Sequence, residues 1–333
     1  MRIALDAMGG DYAPRNMIAG AKLALAEYGR IETLFLTGDE AILREEMRVQ
    51  QFHDPRVEIV HCTEVVDMQD SAVKAIRQKK DSSISVATDL VKSGRAQAVV
   101  SAGHTGAAVA AATVKLRTLK GIERAAIGAP FPNLHGTCLL IDAGASVDSR
   151  PQHLFQQAIM GATYMRHVYG IPNPVVGLMS NGEEEGKGNE VTKEVFDLLR
   201  AAKGLNFKGN IEGRDLTNSP VHVAVCDGFV GNILLKGAEG TAKAVGTLMK
   251  QALTASLGRK LLAALLRPAL RSAADKMNYE HHGGSPLLGV NGVCIIAHGS
   301  SSALAMKNAL RVAMENVQSA VNAHIEQEIE HHS

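Results

Sequence analysis

The stretch VVSAGHTGAAVAAATV, Val99 to Val114, decides how the rest of the chain is read. It begins with branched apolar residues, breaks at Gly103 and Gly106, and becomes an alanine-rich run. A buried strand feeding a helix has this form. The turn between them carries Ser101, His104 and Thr105. The first N–H groups of a helix lack internal partners, and the helix dipole favours negative charge there. Such a turn therefore suits an anion. The plainer reading of the same residues is an N-cap.

The strand-then-helix form repeats outward in both directions. RIALDA precedes a helical stretch from Pro14 to Tyr28, and ETLFLTG precedes DEAILREEMRVQ. RVEIVHC precedes two helical pieces, Asp70–Lys80 and Ser82–Ser93. RAAIGAPF and GTCLLIDAG flank the turn PNLHG and read as a β-hairpin. A helix from about His153 to Tyr169, the strand PVVGLMS and a helix from about Glu190 to Ala202 follow. LNFKGNIEG, VHVAVCDG and VCIIAHGS read as later strands, and one long helix is expected from about Ser301 to Ile329. The alternation predicts an α/β fold, a mainly parallel sheet with helices on both faces and an antiparallel portion. Ligands of such sheets sit at the carboxyl ends of the strands. The runs end in DAMGGD, SAGHTG, IDAGASVD, SNGEEEGKGNE, CDGFVGN and AHGSSSA, and these corners are expected along one edge.

The 333 residues show no internal repeat, no low-complexity tract and no linker, and they read as a single domain, 1–333. Hydrophobic residues make up 46%, enough for a substantial core. Aromatics are only 4%, so stacking platforms for single-stranded nucleic acid are not expected. A net charge of +1 offers no global field for DNA or RNA. Cys62, Cys138, Cys226 and Cys294 show no C-x-x-C spacing; the last three lie in or at the end of apolar runs and read as small buried hydrophobes in a reducing compartment. The N-terminus enters a strand pattern without a secretory signal, and no apolar run approaches the roughly 18 residues of a membrane span. A cytoplasmic protein is expected, at most peripheral to a membrane.

Leu257 to Arg271, LGRKLLAALLRPALR, breaks the rhythm. As a helix it places Lys260, Arg267 and Arg271 on one face and Leu261, Leu262, Leu265 and Leu266 over the rest. Pro268 is expected to kink or end it. A basic amphipathic surface at a membrane, a core-facing helix and a dimer contact are all compatible with this pattern. The expected projection covers about 250–280.

Familiar phosphate loops are missing. No strand-linked G-x-G-x-x-G occurs. GEEEGKG, Gly182 to Gly188, has three residues between its first glycines, not four, and Gly188 where a P-loop needs Ser or Thr. No H-E-x-x-H or G-x-S-x-G is present. The remaining candidates are strand-end groups: the SAGHTG turn, Asp227 and Asn232 in CDGFVGN, His298 after VCIIA, and Lys187 in the glutamate-rich loop. Each has a structural alternative as a cap, a strand-end histidine or a solvated lysine. Without an activated nucleophile, the residues favour chemistry in which the substrate attacks.

Taken together, ALDAMGGDYAPRN, SAGHTGA, IDAGASVD, NGEEEGKGNE, GNIEGRD, CDGFVGNILLKGAEG and GGSPLLGVNGVCIIAHGSS resemble the phosphate acyltransferases of bacterial phospholipid synthesis, in order from Met1 to about Asn316. His104 and Ser146 stand where that pattern has Asn, and Tyr12 where it has His or Phe; His281 and His282 occupy a variable spot. The resemblance implies a three-layer α/β/α sandwich similar to isocitrate and isopropylmalate dehydrogenases and phosphotransacetylase. It implies transfer of a fatty acyl group from acyl carrier protein to inorganic phosphate, with the acyl phosphate passing to a membrane glycerol-3-phosphate acyltransferase. It implies a homodimer, with no cofactor and no metal. Lys187 and Asn232 are then expected to stabilise the carbonyl oxygen or the thiolate, with Asp227 and His298 orienting. Phosphate and substrate contacts are expected from Asp6, Gly9, Gly10, Asn16, Ser101, Gly103, His104, Thr105, Gly106 and Asp142. Leu261, Leu262, Leu265 and Leu266 gain a membrane role, and KAIRQKK, Lys74 to Lys80, becomes a candidate dock for an acidic carrier.

Three other classes compete. A phosphotransacetylase-type enzyme would use coenzyme A thioesters. A metal- and NAD-dependent decarboxylating dehydrogenase needs an aspartate cluster that the sequence does not offer. A non-catalytic membrane-peripheral scaffold would not consume acyl thioester.

Overall fold

The structure is a computed structural model, described for every residue except Met68, residues 278–282 and Ser333. The expected position of His281 and His282, and the end of the expected 250–280 projection, lie outside the described residues. Eleven strands form one sheet in the order β3-β2-β1-β4-β11-β10-β5-β6-β9-β7-β8. In chain order they are β1 (Arg2–Asp6), β2 (Thr33–Gly38), β3 (Val57–His61), β4 (Ala98–Ser101), β5 (Ala126–Asn133), β6 (Gly136–Ile141), β7 (Val176–Met179), β8 (Phe207–Ile211), β9 (Val223–Val225), β10 (Ser285–Leu288) and β11 (Val293–Ile296).

Helices cover both faces. They are α1 (Arg15–Glu27), α2 (Glu40–Val49), α3 (Ala72–Gln78), α4 (Ser83–Lys92), α5 (Thr105–Ala111), α6 (Pro151–His167), α7 (Glu190–Ala201), α8 (Asp215–Asn218), α9 (Gly228–Thr254), α10 (Leu257–Met277), α11 (Ala303–Gln318) and α12 (Val321–His331). Successive strand residues point to opposite faces. Accordingly Ile3 and Leu5 pack with Met17, Ile18, Met306 and Leu310 of α1 and α11, while Ala4 packs with Ile84 and Ala107 of α4 and α5. In the other half Val223 and Val225 face α6 and α7, and Ala224 faces Leu216 and Leu234 of α8 and α9. The expected three layers are present. All four cysteines are buried, and burial pushes the Cys138 and Cys294 thiols up to about 12.

Strand direction changes the expected layout. β1, β2, β3, β4 and β11 run parallel to one another. β10 is antiparallel to β11, β5 to β10, and β6 to β5; the last of these is the expected hairpin. Three reversals turn the block β6, β9, β7 and β8, itself parallel, against the first block. Carboxyl ends of β1, β4 and β11 therefore leave one edge of the sheet, and those of β6, β7 and β9 leave the other. The single rim expected from the sequence is split in two.

Two other expectations are corrected. Pro268 lies inside α10, which runs on to Met277. The long C-terminal helix is two, because Ala320 adopts a left-handed conformation between α11 and α12. No residue of α9 beyond Gly231 is buried, nor any of residues 257–271 in α10; the two helices pack on each other. No helix among the described residues is long and apolar enough to cross a membrane.

Candidate active site

At the first edge, the turns after β1, β4 and β11 interlock. Asp6 is opposite Ser101, and Ser101 opposite Ile296. The Ser101 hydroxyl donates to Asp6 Oδ2 at 2.7 Å and accepts from the Gly103 amide at 3.1 Å. A Cβ on Gly9 would stand 2.5 Å from Asp6 Oδ2 and 2.8 Å from Gly103 N, so the backbones meet only because that side chain is missing. Gly10 is left-handed beside Gly299, and the Asp11 amide donates to Gly299 O at 2.8 Å. Asn16 Nδ2 donates to Ser301 O at 2.9 Å, tying α1 to the third turn. Asp6 is buried, and burial raises its carboxyl pKa against the opposing Ser83 and Ser101 hydroxyls. The cavity among Asp6, Gly9, Ser83 and Ser101 measures about 10 Å³, room for one water. Asp6, Gly9, Gly10, Gly103 and Asn16 thus tie the three turns together.

His104 is the N-cap of α5, its Nδ1 accepting from the Ala107 amide at 3.2 Å. Gly106 lies against the His104 ring. Thr105 is exposed and faces a pocket on the same side of the sheet.

At the second edge, the Asp142 carboxylate accepts from four backbone amides: Ile127, Gly144 and Ala145 at 3.0, 3.0 and 2.9 Å, and Ser146 at 2.8 Å. Burial raises its pKa against these four donors. Its lone pairs are spent on the loop after β6. That loop seats the start of α9: Gly228 N donates to Ser146 O at 2.9 Å, and a Cβ on Gly231 would stand 1.9 Å from Asp142 O. Asp227 caps α9, accepting from Val230 N at 2.9 Å. Asn232 follows, beside Gly144.

From there α9 crosses the middle of the sheet toward the first edge. Leu235 touches the apolar clusters of both halves. One turn beyond Asn232, Lys236 Nζ lies 3.1 Å from His298 Nε2 and 2.8 Å from Glu239 Oε2. The other ring nitrogen of His298, Nδ1, is 2.8 Å from Ser300 Oγ. Thr105, Asn232, Lys236, Glu239, His298 and Ser285 surround a pocket of about 150 Å³, with Ile127, Ala129, Pro130, Leu235 and Ile296 as its apolar lining.

The structure thus brings together Thr105, Asn232 and His298 from opposite edges. It does not bring Lys187 into the pocket lining. Lys187 is exposed in the loop after β7, and its ammonium forms no ion pair among the described residues. This loop is tied to α8 by Glu183–Arg214 at 2.9 Å, and neighbouring Gly213 meets Leu234 of α9. Sequence reading missed Lys236 and Glu239. The available signal was spacing: Asn232, Lys236 and Glu239 stand at i, i+4 and i+7, one face of a helix. Lys74, Arg77 and Lys80 are exposed as expected, but Lys79 is bound to Asp70 at 2.7 Å.

Two opposed parallel blocks of strands joined in one sheet, with helices on both faces, define the chain as an α/β protein. Solved structures similar in fold include the EutD phosphotransacetylase from Staphylococcus aureus, at a TM-score of 0.59 and 14% identity over 97% of this chain and 94% of that one. A branched-chain phosphotransacylase from Enterococcus faecalis matches with a TM-score of 0.57 and 17% identity over 95% and 99%. A family model described as "fatty acid synthesis protein" matches residues 1–324. Relatives named phosphate acyltransferase, from Pelotomaculum thermopropionicum and Akkermansia muciniphila, are 51% and 50% identical over 99% of this chain and 95% and 96% of their own lengths. The chain belongs to this family of phosphate acyltransferases and is an acyltransferase.

Proposed function

We propose that the pocket transfers a fatty acyl group from the thioester of acyl carrier protein to inorganic phosphate, giving an acyl phosphate. The observation that carries this reading is the pocket beneath α9, where a carboxamide, an ammonium, a hydroxyl and an imidazole converge on an apolar lining. Phosphate is already nucleophilic at neutral pH, and a thiol of pKa near 8.5 leaves readily as thiolate. One phosphate oxygen bonds to the carbonyl carbon, the C–S bond breaks with its electron pair on sulfur, and the phosphate proton ends on the thiol. The site's task is orientation and charge stabilisation rather than strong base catalysis.

In this reading Thr105 and the start of α5 receive phosphate, with Ser101, Gly103, His104 and Gly106 shaping that turn. Asn232 donates to the developing oxyanion. Lys187, in the exposed loop after β7, serves the thiolate of a substrate that protrudes from the pocket. Asp227 and Asp142 act through the backbone, holding the N-terminus of α9. The chain is one domain with a helical projection. The exposed leucines of that projection support transient membrane contact or a homodimer face, and the product goes to a membrane glycerol-3-phosphate acyltransferase.

Mass spectrometry of the reaction between acyl carrier protein thioester and phosphate tests the reading. Acyl phosphate formed only with phosphate present is the expected result. Product from coenzyme A thioesters alone points to a phosphotransacetylase-type donor, and no thioester consumption leaves a non-catalytic scaffold.

A further inference from the structure

Resting on that reading, we infer that Lys236 is a catalytic residue of this pocket, its ammonium contacting the attacking phosphate, and that His298 is the positioning residue that holds it. Of the residues lining the pocket, Lys236 is the only lysine or arginine among those described. It stands one helical turn beyond Asn232 on the same face of α9, and both side chains line the pocket. Thr105 lines the same pocket. Phosphate received at Thr105 shares this pocket with the Lys236 ammonium, while the carbonyl it attacks meets Asn232.

The ammonium is held from two sides. Glu239 Oε2 is 2.8 Å away on the same helix, and His298 Nε2 is 3.1 Å away on the turn after β11. On the other side of the ring, Nδ1 accepts from the Ser300 amide at 3.2 Å and lies 2.8 Å from Ser300 Oγ, which holds the imidazole in place. The Lys236 and Glu239 side chains are 49% and 35% exposed. Ion pairs at such exposure are weak, so an incoming dianion can displace the Glu239 carboxylate. His298 does not compete with phosphate for the charge. It fixes where the ammonium sits.

During attack, one phosphate oxygen bonds to the carbonyl carbon and the C–S electron pair departs on sulfur. Negative charge passes from phosphate through the oxyanion to the thiolate. A fixed cation at the phosphate end holds the nucleophile in line at the start of this path.

Steady-state kinetics of Lys236→Met, Lys236→Arg and His298→Gln, with phosphate as the varied substrate, test the inference. Lys236→Met is expected to lower kcat/KM for phosphate about 10²-fold, with Lys236→Arg recovering part of it. His298→Gln, which replaces the ring held by Ser300, is expected to raise the KM for phosphate several-fold while largely keeping kcat. Lys236 is half exposed, so the methionine variant should melt with the unmodified protein; Lys236→Gln serves as a second removal of charge. Turnover in the unmodified protein that survives both Lys236→Met and Lys236→Gln within threefold overturns the inference alone. Absence of phosphate-dependent turnover in the unmodified protein overturns the function proposed above and the inference with it.

Discussion

Lys236 and His298, 62 residues apart in the chain, meet at 3.1 Å across the two opposed halves of the sheet. Lys236 arrives on α9 from the second edge, and His298 follows β11 at the first. Their contact marks where strand ends that leave opposite edges are reunited in one pocket. α9 achieves this because Gly228 and Gly231 let its first turn press onto the Asp142–Ser146 backbone. That seat aims the helix across the central strands.

Asn232→Ala and Lys187→Ala are each expected to lower turnover about 10²–10³-fold, the usual loss when one donor to a developing charge is removed. Thiol release from acyl thioester in the presence of phosphate measures it. A folded variant that turns over near the normal rate removes that residue from the assignment.

Gly231→Ala places a methyl group on the Asp142 carbonyl, a contact that only backbone movement relieves. A loss of about 1–3 kcal/mol is expected, as for other overpacking changes. Gly246→Ala, with open space around it in the same helix, is expected to gain up to about 1 kcal/mol. Denaturant midpoints compare the two. Equal midpoints would show that α9 is not seated as described.

Burial holds the Asp6 carboxyl above its ordinary value of 3.8. The folded chain therefore keeps this proton more tightly than the unfolded chain, and unfolding releases it. The stability owed to this group declines as pH climbs above 3.8 toward its raised folded value; below 3.8 both states are protonated and the difference vanishes. Asp6→Asn imitates the protonated acid and still accepts from Ser101. Its melting temperature should match the unmodified protein at acid pH and exceed it increasingly as pH rises toward the raised folded value. A difference that is flat with pH, or shrinks, contradicts the assignment.

Leu265 and Leu266 are 79% and 55% exposed on α10. Burying such side chains at a lipid surface gains roughly 1.5–3 kcal/mol each, and a glutamate forfeits that gain. Co-flotation with liposomes containing anionic lipid is expected to fall in Leu265→Glu/Leu266→Glu. Unchanged flotation would assign this face to protein contact.

The sequence alone determined the strands and helices wherever period and turn chemistry agreed. Val99–Ser101 feeding α5, the β5–β6 hairpin and the buried cysteines are local features, set by residues within about ten positions of each other. Glycine at Gly9 and Gly103 states that something approaches closely; in the sequence it reads as a ligand, whereas in the structure the near neighbours are Asp6 and each other's backbone. Tertiary structure decided the direction of the second block, because a strand's pattern is the same whichever way its neighbour runs. The reversal passes through β10, whose four residues Ser285–Leu288 carry too short a pattern to announce a strand. Pro268 within a helix, and Ala320 breaking another, likewise depart from the local pattern. Lys236 read as one more surface lysine. Only the seating of α9 on Asp142, and its path over the central strands, put that charge beside His298.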